Sequence, residues 1–305
     1  MLLKIGTRSS QLALAQSNWI KQRIEEQHTR VQVEIVKIKT MGDKILDVPL
    51  SKVGGKGLFV KEIEEALLSK KIDLAVHSMK DVPALLPEGL ILSTIPERED
   101  PHDVLVSQGD KTLDQLSPGS KVGTSSLRRQ AQILHLRPDL KIMPLRGNVN
   151  TRLKKLEQGE YQAIILAAAG LNRLGMGHRI SQIIPRNKIL PAIGQGALGL
   201  EVRSDDMKTI QLVSFINHKP TKVAVYAERA LLKELEGGCQ VPIGGFAFLE
   251  NNCLRLSGLV AELNGSRIIM DEISGKPEDA KVIGQNLGRS LLKKGADQIL
   301  ARIEG

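Results

Sequence analysis

The chain begins two of its segments in the same way, and this repetition constrains its fold more than any other feature. Leu2 to Ile5 form a short apolar strand, and a turn of small residues from Gly6 leads into a helix with an apolar face. The same order recurs 117 positions later, where Lys121 to Gly123 precede another small-residue turn and helical pattern. Such a turn exposes the N–H groups of a helix N-terminus, where carboxylates and phosphates bind. The repeat predicts two α/β domains that face one another across an anion site.

The size and charge of the chain limit its partners. A length of 305 residues predicts two or three domains, since a domain usually has ~100 to 200 residues. Lys and Arg number 43 against 34 Asp and Glu, and the resulting net charge of +9 indicates an anionic partner. One Trp, two Tyr and four Phe are too few for the stacked bases of a single-stranded nucleic acid. We therefore expect no nucleic-acid partner.

The N-terminus and the cysteines are typical of a cytoplasmic protein. The first ten residues lack a charged region followed by a long apolar stretch, and no window reaches ~18 to 20 apolar residues. We therefore expect no export and no membrane partner. Cys239 and Cys253 are too few for the disulfide framework of a small secreted protein, so both are expected to be reduced.

Other patterns complete the outline of the fold. Apolar or alternating runs predict strands, and the last of them is expected to return the chain to the first domain. These runs cover residues 31–39, 72–76, 161–169 and 198–202. After a helix from about Thr221 to Gly237, alternating runs broken at Asn251 and Asn264 predict an antiparallel meander and then a last helix. The third unit is therefore expected to be α+β.

A basic, glycine-rich stretch runs from Lys52 to Gly57 and precedes a helical pattern. Two interpretations stay open for it. It is either an ordinary solvated loop or a lid over an active site.

Arginines at turns and helix starts are the most informative side chains. A forked guanidinium group beside small polar residues suits bidentate binding of carboxylate or phosphate. Any one of them is also consistent with a solvated surface charge, but the whole set favours an anion site. The set consists of Arg8, Arg128, Arg129, Arg146, Arg152 and Arg173.

The strand at 72–76 ends in a polar group where α/β sheets carry their sites. Asp81 either forms a structural salt bridge with Lys80 or faces a cationic intermediate or a proton in transit. His77 at such a position is more typical of a supporting residue than of a general base. The six His show no spacing such as HExxH, so we expect no metal site.

Cys239 lies among glycines, between Gly237-Gly238 and a second glycine pair, on a loop of low steric bulk. Its thiol is therefore accessible, whereas Cys253 sits inside a strand-like run typical of an inert cysteine. No His and Asn partners of a thiol hydrolase accompany Cys239. Both attachment of a group and turnover at sulfur stay open for it.

Seven motifs occur in one order along the first 245 residues. They are GTRSSQLALAQ, VHSMKDVP, VGTSSLRRQAQ, LRGNVNTRL, AAAGLNRL, PAIGQGALGLE and GGCQVPIGG. Together they resemble the porphobilinogen deaminase family, also called hydroxymethylbilane synthases. Seven motifs in register are specific, and only the tail beyond about residue 250 lacks a diagnostic stretch.

The resemblance implies an α/β fold of three domains. The first two are similar to two-lobed periplasmic binding proteins, with mixed sheets and flanking helices, and the third is a small α+β domain with an antiparallel sheet. The expected boundaries are 1–96 with 197–215 for domain 1, 97–196 for domain 2 and 219–305 for domain 3.

The resemblance also implies a reaction. Four porphobilinogen molecules lose ammonia and join head to tail into hydroxymethylbilane, on a dipyrromethane cofactor that a thioether holds. The attachment point maps onto Cys239 and the catalytic aspartate onto Asp81. A single anionic Asp81 in a cationic cleft would stabilise the azafulvene left by deamination. We expect a cytoplasmic monomer with porphobilinogen as its small-molecule partner.

The remaining family contacts map onto basic and small polar residues. Expected cofactor contacts are Lys80, Ser126, Arg128, Arg129, Arg146 and Arg152. Expected substrate contacts are Arg8, Ser10, Arg173 and Gln195. Expected lid residues are Lys52, Lys56 and Phe59.

Two alternatives belong to other classes of protein. A non-enzymatic two-lobed anion-binding protein would explain the paired strand-turn-helix starts but needs no reactive cysteine. A nucleic-acid-binding module would explain the positive charge, but the scarcity of aromatic residues and the scatter of arginines over turns argue against it.

Overall fold

The structure is a computed structural model that describes residues 1–44, 60–236 and 241–304. Its contacts divide the chain into two compact units. The first unit consists of Met1–Glu99 and Ala197–Lys222, and the second of Asp100–Gly196 and Val223–Gly305. The three-domain boundaries expected from the resemblance stay a prediction.

Strands and helices alternate through most of the described chain. The strands are β1 (Leu2–Thr7), β2 (Gln32–Lys37), β3 (Leu74–Ser78), β4 (Leu90–Thr94), β5 (Asp103–Ser107), β6 (Lys121–Gly123), β7 (Lys141–Met143), β8 (Ala163–Ala167), β9 (Gln182–Ile184), β10 (Leu198–Arg203), β11 (Ile243–Glu250), β12 (Cys253–Ala261) and β13 (Ile268–Gly275). The helices are α1 (Gln11–Gln27), α2 (Met41–Lys44), α3 (Lys61–Leu68), α4 (Leu127–Leu136), α5 (Val149–Glu157), α6 (Ala168–Arg173), α7 (Met207–Val213), α8 (Lys219–Glu234), α9 (Ala280–Leu291) and α10 (Asp297–Glu304). Within the described ranges, no helix combines the length and apolar character needed to cross a membrane.

The first unit is built on a mixed sheet of five strands in the order β2-β1-β3-β10-β4. β1 pairs in parallel with β2 and β3, whereas β10 runs antiparallel to β3 and β4. Leu3, Ile5 and Leu74 on the strands and Ile20 on α1 are fully buried in one core cluster. Since β10 belongs to this sheet, the predicted return of the chain to the first unit is confirmed.

The second unit contains a sheet with the same arrangement, in the order β7-β6-β8-β5-β9. β6 is parallel to β7 and β8, and β5 is antiparallel to β8 and β9. The repeated strand, turn and helix of the sequence are therefore the starts of two sheets with one topology. In both, the turns after the parallel strands lie at the carboxyl edge, where α/β sheets bind their ligands.

The second unit also carries a three-stranded antiparallel sheet, β11-β12-β13. Asn251 and Asn252 connect the first two strands with φ angles of 49° and 59°, the left-handed conformation that a two-residue hairpin turn requires and Asn tolerates. Helix α9 packs on this sheet with Ile283, Leu287 and Leu291 buried. The meander and the last predicted helix are confirmed. Together with the two mixed sheets they confirm the predicted fold class.

Several element boundaries differ from the sequence prediction. The strand predicted over 72–76 is β3, Leu74–Ser78, so His77 lies within the strand and does not follow it. The strand predicted over 31–39 is the shorter β2, Gln32–Lys37. The strand predicted over 161–169 ends at Ala167, because the alanines that follow begin α6 and Ala has the highest helix propensity. The single last helix is followed by a second one, α10. Gly295, with φ 97°, breaks the helical periodicity between them, so the pattern of α9 does not continue into α10.

Candidate functional site

In the first unit, the predicted residues follow the carboxyl ends of two neighbouring parallel strands. Arg8 comes directly after β1, and Ser10 is the N-cap of helix α1. Lys80 and Asp81 lie in a single 3₁₀ turn, Met79–Asp81, that continues from β3. Because β1 and β3 pair with each other, these residues share one edge of the sheet, which is the location that the sequence predicts.

A cavity of about 70 Å³ lies at this edge. Arg8 and Asp81, which are both half-buried, give it one cation and one carboxylate. An anionic group beside Arg8 and a cationic group beside Asp81 can therefore bind in the same cavity. The polar lining consists of Arg8, Ser10, Gln16, His77, Ser78 and Asp81.

Two side chains of the lining also fix the local structure. The Ser10 hydroxyl accepts a hydrogen bond from the Ala13 N–H at 3.3 Å and so caps α1. The Gln16 amide nitrogen donates to the Ser78 hydroxyl at 3.0 Å and ties α1 to the end of β3. Ser10, which is expected to contact the substrate, thus caps α1 and also lines the cavity.

In the second unit, basic residues follow the carboxyl ends of three adjacent parallel strands. Nε of Arg152 donates to the Gly147 carbonyl at 2.8 Å, and Nη2 of Arg173 donates to the Gly196 carbonyl at 2.8 Å. These bonds orient two guanidinium groups at one edge of the sheet. The residues there are Ser126, Arg128 and Arg129 after β6, Arg146 and Arg152 after β7, and Arg173 after β8.

The two adjacent arginines of α4 are buried. Arg128 and Arg129 are 3% and 6% exposed, and both pair with the fully buried Asp103 at the start of β5. Nη1 of Arg128 lies 2.6 Å from Oδ2 of Asp103, and Nη2 of Arg129 lies 2.7 Å from Oδ1. Arg128 also donates to the Leu190 carbonyl and Arg129 to that of Ile165. This Asp103 cluster fixes both guanidinium groups.

Gln195 belongs to the same cluster. It is 1% exposed, and its amide nitrogen donates to Oδ1 of Asp103 at 3.0 Å and to the Pro101 carbonyl at 2.7 Å. Burial acts to raise the pKa of the Asp103 carboxyl, but the charges of Arg128 and Arg129 and the hydrogen bonds outweigh burial and hold that pKa well below its usual range. Asp103 is therefore ionised.

Sequence reasoning missed Asp103. The signal was an acidic residue at the head of the apolar run Val104 to Val106, since a buried carboxylate requires a cationic partner. Arg128 and Arg129 thus already bind a carboxylate of the protein itself. Nε of Arg128 is buried and has no hydrogen-bond partner among the described residues.

Replacing Asp103 with Asn is expected to lower the free energy of unfolding by about 3 to 5 kcal/mol, because two buried guanidinium groups lose their counter-charge. Acid should have a similar effect on the wild type. A carboxyl whose pKa is lowered on folding stabilises the protein above the ordinary value of 3.8 and loses that effect as the pH falls below it. Chemical denaturation at neutral and acidic pH measures both effects.

Asp139→Asn is the matched control for this prediction. Asp139 also pairs with an arginine, Arg137, at 2.6 Å, but its side chain is 36% exposed. Its loss is expected to change stability far less than the loss of Asp103. Equal stability of Asp103→Asn and the wild type would show that the buried ion cluster does not hold this part of the second unit together.

Four predicted residues lie outside the described residues. They are the proposed attachment point Cys239 and the lid residues Lys52, Lys56 and Phe59.

Two known proteins are similar to this chain over nearly its whole length. The chain is 56% identical over 301 residues to the porphobilinogen deaminase of Geobacter metallireducens, covering 99% of this chain and 94% of that protein. It is 54% identical over 302 residues to the porphobilinogen deaminase of Syntrophobacter fumaroxidans, covering 99% and 98%. Among solved structures, the periplasmic aliphatic sulphonate binding protein of Escherichia coli matches with a TM-score of 0.41 and 18% identity, over 77% of this chain and 70% of that one.

Two family models cover most of the sequence. The model described as porphobilinogen deaminase, dipyromethane cofactor binding domain, matches residues 3–211. The model described as porphobilinogen deaminase, C-terminal domain, matches residues 222–293. On these matches and the identity over nearly its whole length, the chain belongs to the porphobilinogen deaminase family.

Proposed function

We propose that this chain joins four porphobilinogen molecules head to tail into the linear tetrapyrrole hydroxymethylbilane, with loss of ammonia. The observation that carries the proposal is the cavity of the first unit, which offers the cation of Arg8 and the carboxylate of Asp81 to one small ligand. Porphobilinogen carries acetate and propionate groups together with an aminomethyl group. It therefore has both the anionic and the cationic chemistry that these two side chains bind.

Asp81 is the proposed catalytic residue. As the carbon–nitrogen bond of the substrate breaks, the electron pair leaves with ammonia and the pyrrole ring gains positive charge. A carboxylate fixed in the turn after β3 stabilises that charge without having to reorganise. Lys80, in the same turn, is proposed to bind a ligand carboxylate.

The donor set of the second unit fits a dipyrromethane group, because that group carries the carboxylates of two pyrrole units. Nε of Arg128, which is buried and has no hydrogen-bond partner among the described residues, supports this fit. When bound, the dipyrromethane supplies the pyrrole carbon to which the first substrate is joined. The residues proposed to hold it in this unit are Ser126, Arg128, Arg129, Arg146 and Arg152.

Other residues have proposed roles that follow from their contacts or from the resemblance. Asp103 acts as a positioning residue, through the guanidinium groups of Arg128 and Arg129. Arg173 and Gln195 are proposed substrate contacts, and Cys239 is the proposed point of thioether attachment. From the resemblance we further propose that the protein acts as a monomer in the cytoplasm.

Replacing half-buried basic residues with Leu is expected to separate two steps of the reaction. Arg146→Leu should impair assembly of the dipyrromethane on the protein, whereas Arg173→Leu should slow the later additions and let protein-bound products of intermediate mass accumulate. Loss of one charge-assisted hydrogen bond corresponds to about 10- to 100-fold weaker binding. The mass of the intact protein before and after addition of porphobilinogen measures both effects.

Arg255→Leu is the control, since Arg255 is an exposed residue of β12 that pairs with Glu250. It should behave as the wild type. Wild-type rates and wild-type mass patterns in both Arg146→Leu and Arg173→Leu would contradict the proposed carboxylate-binding edge.

A further inference from the structure

Three buried titratable side chains of the first unit form a group that the proposed function does not use. His77 on β3 pairs in register with Gly199 on β10, and Glu201 is two residues further along β10, so both side chains lie on one face of the sheet. Nε2 of His77 lies 2.7 Å from Oε2 of Glu201. Helix α3 contacts both strands and contributes the buried Glu64. We refer to Glu64, His77 and Glu201 as the buried trio.

The trio contains more acid than base. Glu201, His77 and Glu64 are 0%, 5% and 7% exposed, and Oε1 of each glutamate has no hydrogen-bond partner among the described residues. Two ionised carboxylates beside one imidazole would leave at least one buried negative charge unpaired, which is costly. Burial first, and then the charge on Glu201, raise the pKa of Glu64 to about 7, although His77 acts in the opposite direction. Glu64 therefore exchanges a proton near neutral pH.

The trio reaches the cavity through His77. Of its three members, His77 lines the cavity that Arg8 and Asp81 also line. The strands that pack against α3 bring two further charged side chains, Lys4 of β1 and Arg203 of β10. Arg203 is occupied elsewhere, since it donates to the carbonyl oxygens at 67 and 72 and to the carboxylate of residue 206. On α3 itself, Lys61, Glu62 and Glu65 are the other charged residues.

A metal ion does not explain the trio. Across the part of the chain that the structure describes, no group of three or more His, Cys, Asp and Glu side chains is arranged to hold one. A proton is the remaining species that two carboxylates and an imidazole share in a buried site.

We propose that the buried trio holds one exchangeable proton for the reaction in the cavity. Glu64 carries this proton, and Glu201 is the fixed partner of His77. The His77 ring transfers the proton between the trio and the substrate. This inference rests on the proposed function. The substrate binds with its aminomethyl group as an ammonium ion, so the carbon–nitrogen bond breaks without an added proton, the electron pair leaves on ammonia and the ring keeps the positive charge. As the new carbon–carbon bond forms, the ring carbon at which it forms loses a proton, which passes through His77 to the trio. The trio then gives this proton to the departing ammonia or to solvent, so that the trio is unchanged over one cycle.

The first test measures the proton itself and needs no substrate. Infrared difference spectra of the purified holoprotein between pH 6 and pH 8 should show a protonated carboxyl band that titrates near pH 7. Glu64→Gln should lose this band, and Glu65→Gln, an exposed neighbour on the same helix, should keep it. Should the Gln variant misfold, Glu64→Asp keeps the carboxyl and should shift the band. A wild type without a titrating band, or a band unchanged in the Glu64 variants, would overturn the proposal.

The second test measures the effect on the reaction. The pH profile for the single-turnover addition of one porphobilinogen should show a wild-type ionisation near pH 7, which Glu65→Gln retains and Glu64→Gln loses together with at least ~10-fold in rate. A merely structural role of Glu64 would lower stability and leave the shape of this profile unchanged, which would overturn the proposal. The infrared band does not depend on turnover. If Asp81 proves dispensable while the band still titrates, the proposed role of Asp81 fails and the proton store stands.

Discussion

Replacing Cys239 with Ala is expected to give a protein that carries no dipyrromethane and has no measurable turnover. The physical reason is that a thioether needs a sulfur nucleophile, and Cys239 is the cysteine that the sequence flanks with glycines on both sides. The mass of the intact wild-type protein should exceed that of Cys239→Ala by the mass of the adduct, after allowance for the substitution. Peptide mapping should assign the adduct to Cys239.

Cys253→Ala is the matched control, because the chain has two cysteines. Cys253 is the first residue of β12 and is half-buried, with its thiol 3.9 Å from the Leu254 carbonyl oxygen. This variant should keep the adduct and near wild-type turnover. An adduct on Cys253, or an active enzyme with both thiols free, would exclude the proposed attachment.

The fold was predictable where local pattern determines it. The turns at Gly6 and Gly123 predicted two related α/β starts, and both sheets do begin with a strand, a small-residue turn and a helix. The pairing of β5 with β8 and of β10 with β3 could not be predicted, because these antiparallel partners are far apart in the sequence and no local signal specifies their register. The break at Gly295 was missed for a related reason, since a single left-handed glycine leaves the surrounding helical pattern almost unchanged.

The residues of the candidate site that follow the strand ends were predictable from the sequence, but the buried acids behind them were not. Arg8 and Asp81 were found because residues after parallel strands share one edge of a sheet. Asp103 and Glu201 were missed because each lies in an apolar strand, and Glu64 was missed because it is one of three glutamates on an amphipathic helix. Each becomes informative only when its buried partner is known. The sequence therefore predicted one acid among many bases. The structure has further buried acids. Asp103 compensates the charges of Arg128 and Arg129, and Glu64 and Glu201 lie close to His77.

The carboxylate of Asp81 bears on the alternative of a non-enzymatic anion-binding protein. A protein that only binds anions has no use for a carboxylate in its cavity, because that charge repels its ligand. Asp81 lines the cavity, and in a chain that belongs to the porphobilinogen deaminase family we propose that this carboxylate stabilises the cationic ring. The same membership argues against the nucleic-acid-binding alternative, which relied on net charge alone.

Replacing Asp81 with Asn is expected to slow deamination by at least ~10² to 10³, the usual effect of deleting one preorganised electrostatic group. Asn keeps the shape and the hydrogen-bonding capacity of Asp but removes the negative charge that stabilises the developing cation. Asp81→Glu keeps the charge and displaces it by one methylene, so it should retain part of the activity and hold protein-bound products for longer. Both variants should remain folded, because Asp81 is half-buried at the cavity and not part of an apolar core.

The competing explanation for Asp81, a structural salt bridge with its neighbour Lys80, predicts the opposite result. Loss of the bridge would lower the melting temperature and leave turnover in the folded fraction nearly unchanged. Measuring the melting temperature and single-turnover deamination on the same sample of Asp81→Asn therefore separates the two explanations. Near-normal deamination by a stable Asp81→Asn protein would remove Asp81 from the catalytic role, whereas a slow and stable protein leaves charge stabilisation as the explanation, because the fold and the hydrogen-bonding capacity are then both intact.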